Sequence, residues 1–344
     1  MLYIFVILFI ALLSVYGRVS DSRTQLKNFD LQETLPLRGL LAISVMLTHL
    51  CPYLTDEAPL LQDFCLWGPP SVASFFLLAG YGLAFSYKKK GEAYLHGFFK
   101  KRLLRLLCPL FFMTLVYQGY LIYQNHFDWI DMLLSPSPMS WFIYALVIWY
   151  AGYYFSFKIG RTVKEKLGLV WLFTLVYLAF TIYLKQPYYY ISILPLPMAI
   201  TYVFYEEKLK AVIIEHAICV WWIVMAIVLV VMGYAVAGQY GMNLPGWAPP
   251  VNVLVPWVIV YITYYLGGLK NKAVLFLGSL SYEFYIVHGF IVMQLGNVRI
   301  MNVGGVNACV LIFCVLLLTI VSALILSKLC SRINQVSFQN WRID

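Results

Sequence analysis

The chain has 344 residues, of which 62% are hydrophobic and 11% are charged, and its mean hydropathy is +0.80. Soluble domains carry about 25% charged residues, so a soluble fold is excluded and a polytopic membrane protein is indicated. The formal net charge of +9 would suit a nucleic-acid-binding protein, but the basic residues lie in alternate loops, a distribution that sets membrane topology. We therefore expect a lipid bilayer around the chain and no nucleic-acid partner.

Hydrophobic segments long enough to cross a membrane recur along the whole chain. About 20 apolar residues span the hydrocarbon core as a helix, and the segments lack the period-two alternation of barrel strands. We therefore predict an all-α, polytopic helical bundle with about 11 transmembrane helices. The predicted spans are 2–17, 36–53, 70–87, 104–124, 140–157, 167–184, 188–205, 211–237, 250–268, 277–297 and 304–328.

The basic residues alternate from one loop to the next, and this alternation predicts the orientation of the chain. Cytoplasmic loops of membrane proteins are enriched in Lys and Arg, whereas the intervening loops hold only Lys185 and Arg299. The N-terminus is therefore predicted outside and the C-terminus in the cytoplasm. The predicted cytoplasmic residues are Arg18, Arg23, Lys27, Lys88, Lys89, Lys90, Lys100, Lys101, Arg102, Arg105, Lys158, Arg161, Lys164, Lys166, Lys208, Lys210, Lys270, Lys272, Lys328, Arg332 and Arg342.

A single integral-membrane domain is expected to occupy residues 1–344. Within it we expect an extra N-terminal helix over 2–17, a core over 36–328 and a cytoplasmic tail over 329–344. The first helix lacks a basic n-region and a small-residue cleavage site, so it is predicted to be retained and not removed as a secretory signal. The stretches between the spans are too short for a fused soluble domain.

Seven cysteines are scattered through the chain, mostly inside apolar spans. They form neither CxxC pairs nor a spacing typical of metal ligands. We therefore expect no required disulfide and no metal site.

The helix predicted over 36–53 carries one arginine and one histidine. Arg38 and His49 lie eleven residues apart, which places them on nearly the same helix face about 16 Å apart. Ionisable side chains inside a bilayer are costly unless they face a partner or a water-filled cavity. Arg38 alone could reach lipid headgroups, and His49 alone could bond a neighbouring helix. Together on one face they favour a buried polar site.

The next polar segment is KKRLLRLLCP, which leads into the fourth predicted span. Arg102 and Arg105 are one helical turn apart, and Lys100 and Lys101 add to the charge. One interpretation is an anchor at the cytoplasmic membrane surface. The other is a binding site for phosphates, because paired guanidinium groups bind phosphates bidentately.

A third polar segment, LGSLSYEFYIVHG, opens the tenth predicted span. Ser281, Tyr285 and His288 have the spacing of one helix face, and Glu283 points elsewhere. The aligned hydroxyl, phenol and imidazole groups indicate either a polar lining with a proton relay or hydrogen bonds between helices. In the third predicted span, Gly80 and its small neighbours Ala79 and Gly82 predict close packing of helix backbones.

Taken in chain order, these segments resemble the membrane-bound acyltransferase 3 family, integral-membrane O-acyltransferases that modify bacterial surface glycans and some other carbohydrates. The family pattern of Arg, ten residues and His matches Arg38 and His49, and its R-x-x-R matches Arg102 and Arg105. The other matching segments are FF-x-x-SG at Phe75 to Gly80, WF-x-x-x-L at Trp141 to Leu146 and SY-x-x-Y-x-x-H at Ser281 to His288.

The chain departs from the family pattern in three ways. Ala79 replaces the usual serine, so no catalytic hydroxyl is available at that position. The helix over 2–17 is additional to the ten that the family pattern implies. Some relatives carry a fused extracytoplasmic esterase-like domain, and this chain is expected to transfer the acyl group directly or to pass it to a separate protein.

The resemblance implies acyl transfer from cytoplasmic acyl-CoA, with acetyl as the common acyl group, to a hydroxyl of an extracytoplasmic glycan, by a protein of the cell (inner) membrane. His49 would act as a general base or accept the acyl group itself. The expected partners are acyl-CoA, the glycan acceptor and the bilayer, and the resemblance also allows a separate extracytoplasmic transferase or glycan-synthesis protein. The implied catalytic residues are His49, Arg38, His288, Glu283 and Tyr285, and the implied donor-binding residues are Arg102, Arg105, Arg38 and Lys101.

Two other functions stay open at the level of sequence. A transporter or a flippase for a lipid-linked glycan would use an intramembrane Arg and His to line a pathway. Inverted repeats and matching broken helices would mark such a protein, and neither is visible in the sequence. A catalytically inactive sensor or scaffold is the third possibility, which the retained Arg and His motifs disfavour.

Overall fold

A computed structural model describes residues 2–19, 31–54, 64–65, 67–239, 248–266, 271–300 and 308–339. Every regular element in these ranges is helical, which confirms the all-α prediction. Several predicted topology markers lie outside the described residues or side chains, namely Arg18, Arg23, Lys27, Lys270, Arg299, Arg342 and the end of the predicted tail at 340–344.

The helices follow the predicted spans closely and extend several of them. In chain order they are α1 Leu2–Val19, α2 Leu31–Leu50, α3 Gly68–Lys90, α4 Phe98–Tyr123, α5 Trp129–Leu134, α6 Ser140–Ile159, α7 Val163–Tyr183, α8 Pro187–Tyr190, α9 Pro195–Glu215, α10 Ala217–Gln239, α11 Ala248–Leu266, α12 Lys272–Ser279, α13 Ser281–Ile300 and α14 Ala308–Gln339.

Proline and glycine fix several of the helix ends. Proline occupies the first turn of α3 and of α9, where its missing N–H would have no intrahelical partner. Helix α3 ends at Gly91 with φ 59°, and Gly97 precedes α4 with φ 63°. Only glycine adopts this left-handed conformation without strain, so both turns depend on the missing side chain.

The described part of the chain confirms some of the predicted membrane spans. Judged by length and composition, six of the described helices can cross a membrane, and up to eight spans result if each of two bent helix pairs forms one. The bends are 97° between Pro187–Glu215 and Ala217–Gly233, and 76° between Lys272–Ser279 and Ser281–Asn297. The protein is therefore a multi-pass membrane protein, but the count of 11 is not confirmed. A hydropathy profile measures apolar length and does not show where a helix bends.

The chain forms two compact units. The first comprises Met1–Gly91 and Trp171–Gly278, and the second comprises Glu92–Val170 and Ser279–Asp344. In the first unit α3 packs against α2, α9 and α11. Its Gly80 lies so close to the Leu196 carbonyl that a Cβ could not be added without a shift, as predicted, whereas Gly82 has open space around it.

In the second unit α13 and α14 pack together and against α4, which also contacts α6. Aromatic rings fill much of the interior. The Phe98 ring lies 5.9 Å from that of Tyr153, and the Tyr153 ring stacks on Phe157 at 4.2 Å. Helix α13 approaches the segment before α6 closely, because a Cβ on Gly289 would stand 2.6 Å from Met139. These contacts fix helices α4 and α13, which carry the polar residues of this unit.

Candidate functional site

Arg38 and His49 lie on one continuous helix of the first unit, α2. Both side chains are partly buried. Eleven residues correspond to about 16 Å along the helix axis, so the two groups stand near opposite ends of α2. The arginine end is fixed by backbone contact, because a Cβ on Gly39 would stand 2.8 Å from the Gly278 amide nitrogen.

The histidine end of α2 is fixed by a disulfide between Cys51 and Cys65. The Cα atoms are 5.5 Å apart, a normal separation for a disulfide. The prediction that no disulfide is required was therefore wrong for these two residues. Their 14-residue separation matches no cysteine motif. The only hint of a disulfide in the sequence is that Cys51 ends an apolar segment and so lies near the membrane surface.

In the second unit Arg102 lies among tyrosines. Its guanidinium group donates a hydrogen bond to the Tyr94 hydroxyl. It also lies 5.6 Å from the centroid of the Tyr94 ring and 5.9 Å from that of Tyr150, distances at which a cation is attracted to an aromatic face. The Arg102 side chain is thus held in place before any ligand binds.

Arg105 faces a cavity of about 320 Å³ in the same unit, where α4, α13 and α14 meet. Arg102 is not part of the lining. Residues three apart on a helix differ by about 60° in direction, so the R-x-x-R pair divides between the tyrosine cluster and the cavity. The lining residues are Lys101, Leu104, Arg105, Pro109, Glu283, Ser327, Cys330 and Ser331.

The polar residues of α13 lie on two different faces of the helix, as their spacing predicts. Ser281, Tyr285 and His288 are all buried, with His288 at 0% exposure. The Tyr285 ring lies 4.9 Å from Phe142 and 5.5 Å from His288. Glu283 lies on the other side and lines the cavity with Arg105. The structure thus brings Glu283 together with Arg105 and Lys101, and Tyr285 together with His288.

A buried ion pair in the first unit is absent from the sequence predictions. Lys210 Nζ lies 2.9 Å from Glu206 Oε1, and both side chains are buried. The Tyr81 hydroxyl donates to Glu206 Oε2 at 3.4 Å, and Lys210 lies 5.3 Å from the Tyr264 ring centroid. The sequence predicts Lys210 in a cytoplasmic loop, and the loop part of that prediction is wrong because Lys210 lies within α9, which continues to Glu215. The i, i+4 spacing of opposite charges was the available signal.

A metal centre would need several ligating side chains close together. The described part of the chain holds no group of three or more His, Cys, Asp or Glu side chains that could bind a metal ion. Among the described residues, the groups placed for chemistry include the imidazole of His49, the guanidinium of Arg38 and the charged cavity of the second unit.

Residues 37–328 match a family model described as an acyltransferase domain. No curated protein and no solved structure matches. The family match includes α2 with Arg38 and His49, the R-x-x-R segment and α13, and it covers most of the chain. This multi-pass membrane protein belongs to the acyltransferase 3 family.

Proposed function

We propose that the protein is a membrane O-acyltransferase that moves an acetyl group from cytoplasmic acetyl-CoA to a hydroxyl of an extracytoplasmic surface polysaccharide or other glycan. Family membership supports acyl transfer. The observation that carries the proposal is the pairing of Arg38 and His49 on one continuous helix, because it supplies a fixed cation and a base within a membrane-embedded segment.

The cavity of the second unit suits the phosphates of coenzyme A. Lys101 and Arg105 line it and are exposed, and its volume of about 320 Å³ falls within the range of small-molecule sites, roughly 300–1,000 Å³. Charge-assisted hydrogen bonds from guanidinium groups to phosphate are strong and directional. We assign donor binding to Lys101 and Arg105, with Arg102 contributing from its tyrosine cluster and Glu283 orienting Arg105.

The acyl-transfer chemistry is assigned to His49. As a general base, its neutral imidazole takes the proton from the acceptor hydroxyl while the oxygen attacks the thioester carbonyl. The carbon–sulfur bond then breaks, and the imidazolium returns a proton to the departing thiolate of coenzyme A. Arg38, about 16 Å from His49 along α2, helps to position the pantetheine arm of the donor, and Tyr285 and His288 orient groups or transfer protons in a supporting role.

Nucleophilic catalysis by His49 is the other mechanism that fits the same residue. The imidazole nitrogen would attack the thioester, coenzyme A would leave, and the glycan hydroxyl would then take the acyl group from the histidine. Single-turnover reaction without acceptor should then accumulate acyl-His49, detectable by peptide mass after rapid quenching. A competent enzyme that accumulates no such adduct acts by general base catalysis.

The disulfide supports the proposed orientation of the chain. Disulfides persist in oxidising compartments outside the cytoplasm, and Cys51 follows His49 by two residues. This agrees with the distribution of Lys and Arg, which favours a protein of the cell (inner) membrane with its N-terminus outside and its C-terminus in the cytoplasm. His49 would then meet an acceptor, or a separate extracytoplasmic transferase or glycan-synthesis protein, on the outer side.

The two bent helix pairs favour one other candidate, a flippase or transporter of a lipid-linked glycan. Discontinuous helices often form the substrate sites of transporters, and the bends here are 97° and 76°. Such a protein would move its glycan without consuming a thioester.

Purified protein in proteoliposomes distinguishes the two functions. The acyltransferase should release coenzyme A from acetyl-CoA and move its labelled acetyl group to glycan, and succinyl-CoA should be compared to identify the acyl group. If the protein neither binds, hydrolyses nor transfers from any acyl-CoA but moves a lipid-linked glycan across the bilayer, the proposal is wrong.

A further inference from the structure

The end of α2 that carries His49 is tied covalently to the chain just before α3. Cys51 begins the turn after α2, and its sulfur is bonded to that of Cys65, three residues before α3 begins at Gly68. The Leu54 amide donates to the Cys51 carbonyl at 2.9 Å, which closes that turn. The disulfide therefore holds the segment that follows His49 by two residues.

Thr48, the residue before His49, adds a second tie between the same segments. Its hydroxyl donates to the Phe64 carbonyl at 2.8 Å and lies 3.0 Å from the Ser44 carbonyl. Its methyl group lies 2.7 Å from where a Cβ on Gly68 would stand, so the threonine packs directly on the first residue of α3. One helical turn earlier, the hydroxyls of Ser44 and Ser71 are 2.9 Å apart. The last two turns of α2 are thus attached to α3 and the residues before it.

His49 needs such attachment because of its place in the helix. It is the second-last residue of α2, and the last turn of a helix leaves carbonyl groups without intrahelical donors and frays readily. A displacement of about 1 Å at a catalytic group can lower the rate on the order of 10²-fold. A base in the fraying turn of a helix therefore requires an external constraint to keep its position.

We infer that the Cys51–Cys65 disulfide and Thr48 form a clasp that positions His49, so that acyl transfer depends on the oxidised disulfide. This inference rests on the proposed function for its catalytic consequence. Cys51, Cys65 and Thr48 act through His49 and are positioning residues. The enzyme is accordingly active when the outer end of α2 faces an oxidising compartment and loses activity on reduction there.

The first test is reversible reduction of purified protein in proteoliposomes. Peptide mapping under non-reducing conditions should recover Cys51 linked to Cys65, and free thiols at both positions would overturn the inference. Tris(2-carboxyethyl)phosphine should lower kcat by about tenfold or more with little change in the KM for acetyl-CoA, and reoxidation should restore it. Unchanged kcat after verified reduction would overturn it as well. The matched control is Cys219→Ser, which replaces an exposed free cysteine and should keep both the activity and the sensitivity to reduction.

The second test uses Thr48, whose two substitutions separate positioning from folding. Thr48→Val removes the hydroxyl and keeps the shape, and Thr48→Ser keeps the hydroxyl. We expect Thr48→Val to lower kcat several-fold without changing the donor KM or the elution profile of the folded protein, and Thr48→Ser to restore kcat. Equal kcat for Thr48→Val and the wild type would contradict the role of this hydroxyl.

A third readout needs no catalytic turnover and keeps failure of the clasp distinct from failure of the proposed function. The rate at which diethylpyrocarbonate modifies His49 is measured by peptide mass, with the exposed His216 as internal reference. Reduction, or the Cys51→Ser and Cys65→Ser double substitution, should raise the His49 rate several-fold relative to His216. An unchanged ratio overturns the clasp. A changed ratio in a protein without acyltransferase activity upholds the clasp and refutes the proposed function.

Discussion

The two compact units hold their polar residues by different means. In the first unit His49 and Arg38 share one helix whose ends are fixed by a disulfide and by a backbone contact with Gly278. In the second unit Arg102 lies on tyrosine faces, and Arg105 is exposed at a cavity shared with Glu283. Covalent and backbone contacts fix the position of a side chain, whereas exposed charged groups are accessible as hydrogen-bond donors to a ligand. Substitution of His49 in the first unit should therefore change the rate of transfer, and substitution of Arg105 in the second should change donor affinity.

The largest effect is expected for His49→Ala in the first unit. General acid–base catalysis contributes about 10²–10⁴-fold to a rate, and the alanine variant should lose kcat within that range while binding acetyl-CoA as the wild type does. Steady-state transfer of labelled acetyl groups measures both parameters. His216→Ala is the matched control, since His216 is exposed at the bend after α9. A His49→Ala enzyme with normal kcat would show that the comparison of the units is wrong.

Glu206→Leu should destabilise the first unit without changing donor affinity. It removes the carboxylate that lies 2.9 Å from the buried Lys210 Nζ, and removing one partner of a buried ion pair costs about 3–5 kcal/mol. Replacing both members, by Glu206→Leu with Lys210→Leu, should cost less because no buried charge remains. Thermal unfolding in detergent ranks the two variants. If the single variant is the more stable one, the ion pair is not the stabilising contact that the structure indicates.

Arg105→Ala in the second unit should raise the KM for acetyl-CoA and leave kcat at saturating donor unchanged. A hydrogen bond to a charged group contributes about 1.5–3 kcal/mol, which corresponds to roughly a tenfold to a hundredfold loss of affinity. Arg105→Lys should recover part of the loss, since lysine keeps the charge but not the bidentate geometry. Arg332→Ala, at an exposed position of α14, is the control. A fall in kcat without a change in KM would place Arg105 in the chemistry instead.

The smallest effect is expected for Tyr94→Phe. The substitution removes the hydroxyl that binds Arg102 and keeps the ring beneath its guanidinium group. The effect on donor binding is indirect, because Arg102 does not line the cavity and keeps its contact with the ring, so the donor KM should rise only a few-fold, and Tyr94→Ala should raise it further. Donor titration of the three proteins gives the ranking. If both variants match the wild type, Arg102 does not depend on its tyrosine cluster.

The parts of the fold that follow from local periodicity were predictable from the sequence. The helix with Arg38 and His49, the shared face of Ser281, Tyr285 and His288, and the backbone contact at Gly80 all depend on helical spacing or on the size of one residue. The middle of each predicted span lies within a described helix for the same reason, although α9 and α14 continue about ten residues past the predicted ends. The family resemblance rests on these same short-range patterns.

The features that sequence reasoning missed all depend on contacts between distant segments. The Cys51–Cys65 bond joins residues 14 positions apart in the sequence, and no cysteine motif indicates that pairing. Glu206 and Lys210 looked like loop charges because the apolar window ended at 205, although their helix continues and buries them. The division of Arg102 and Arg105 between tyrosines and cavity depends on helices α13 and α14, which no local pattern relates to α4.

The most direct test of the account measures donor binding and acyl transfer on the same samples of wild type, His49→Ala and Arg105→Ala. Equilibrium binding of labelled acetyl-CoA to protein in proteoliposomes gives the donor Kd, and a single-turnover reaction with glycan acceptor gives the transfer rate. The account predicts that His49→Ala binds the donor normally and does not transfer, whereas Arg105→Ala binds weakly and transfers normally at saturation. Transfer by His49→Ala at the wild-type rate, or a wild-type protein that binds no acyl-CoA, would contradict it.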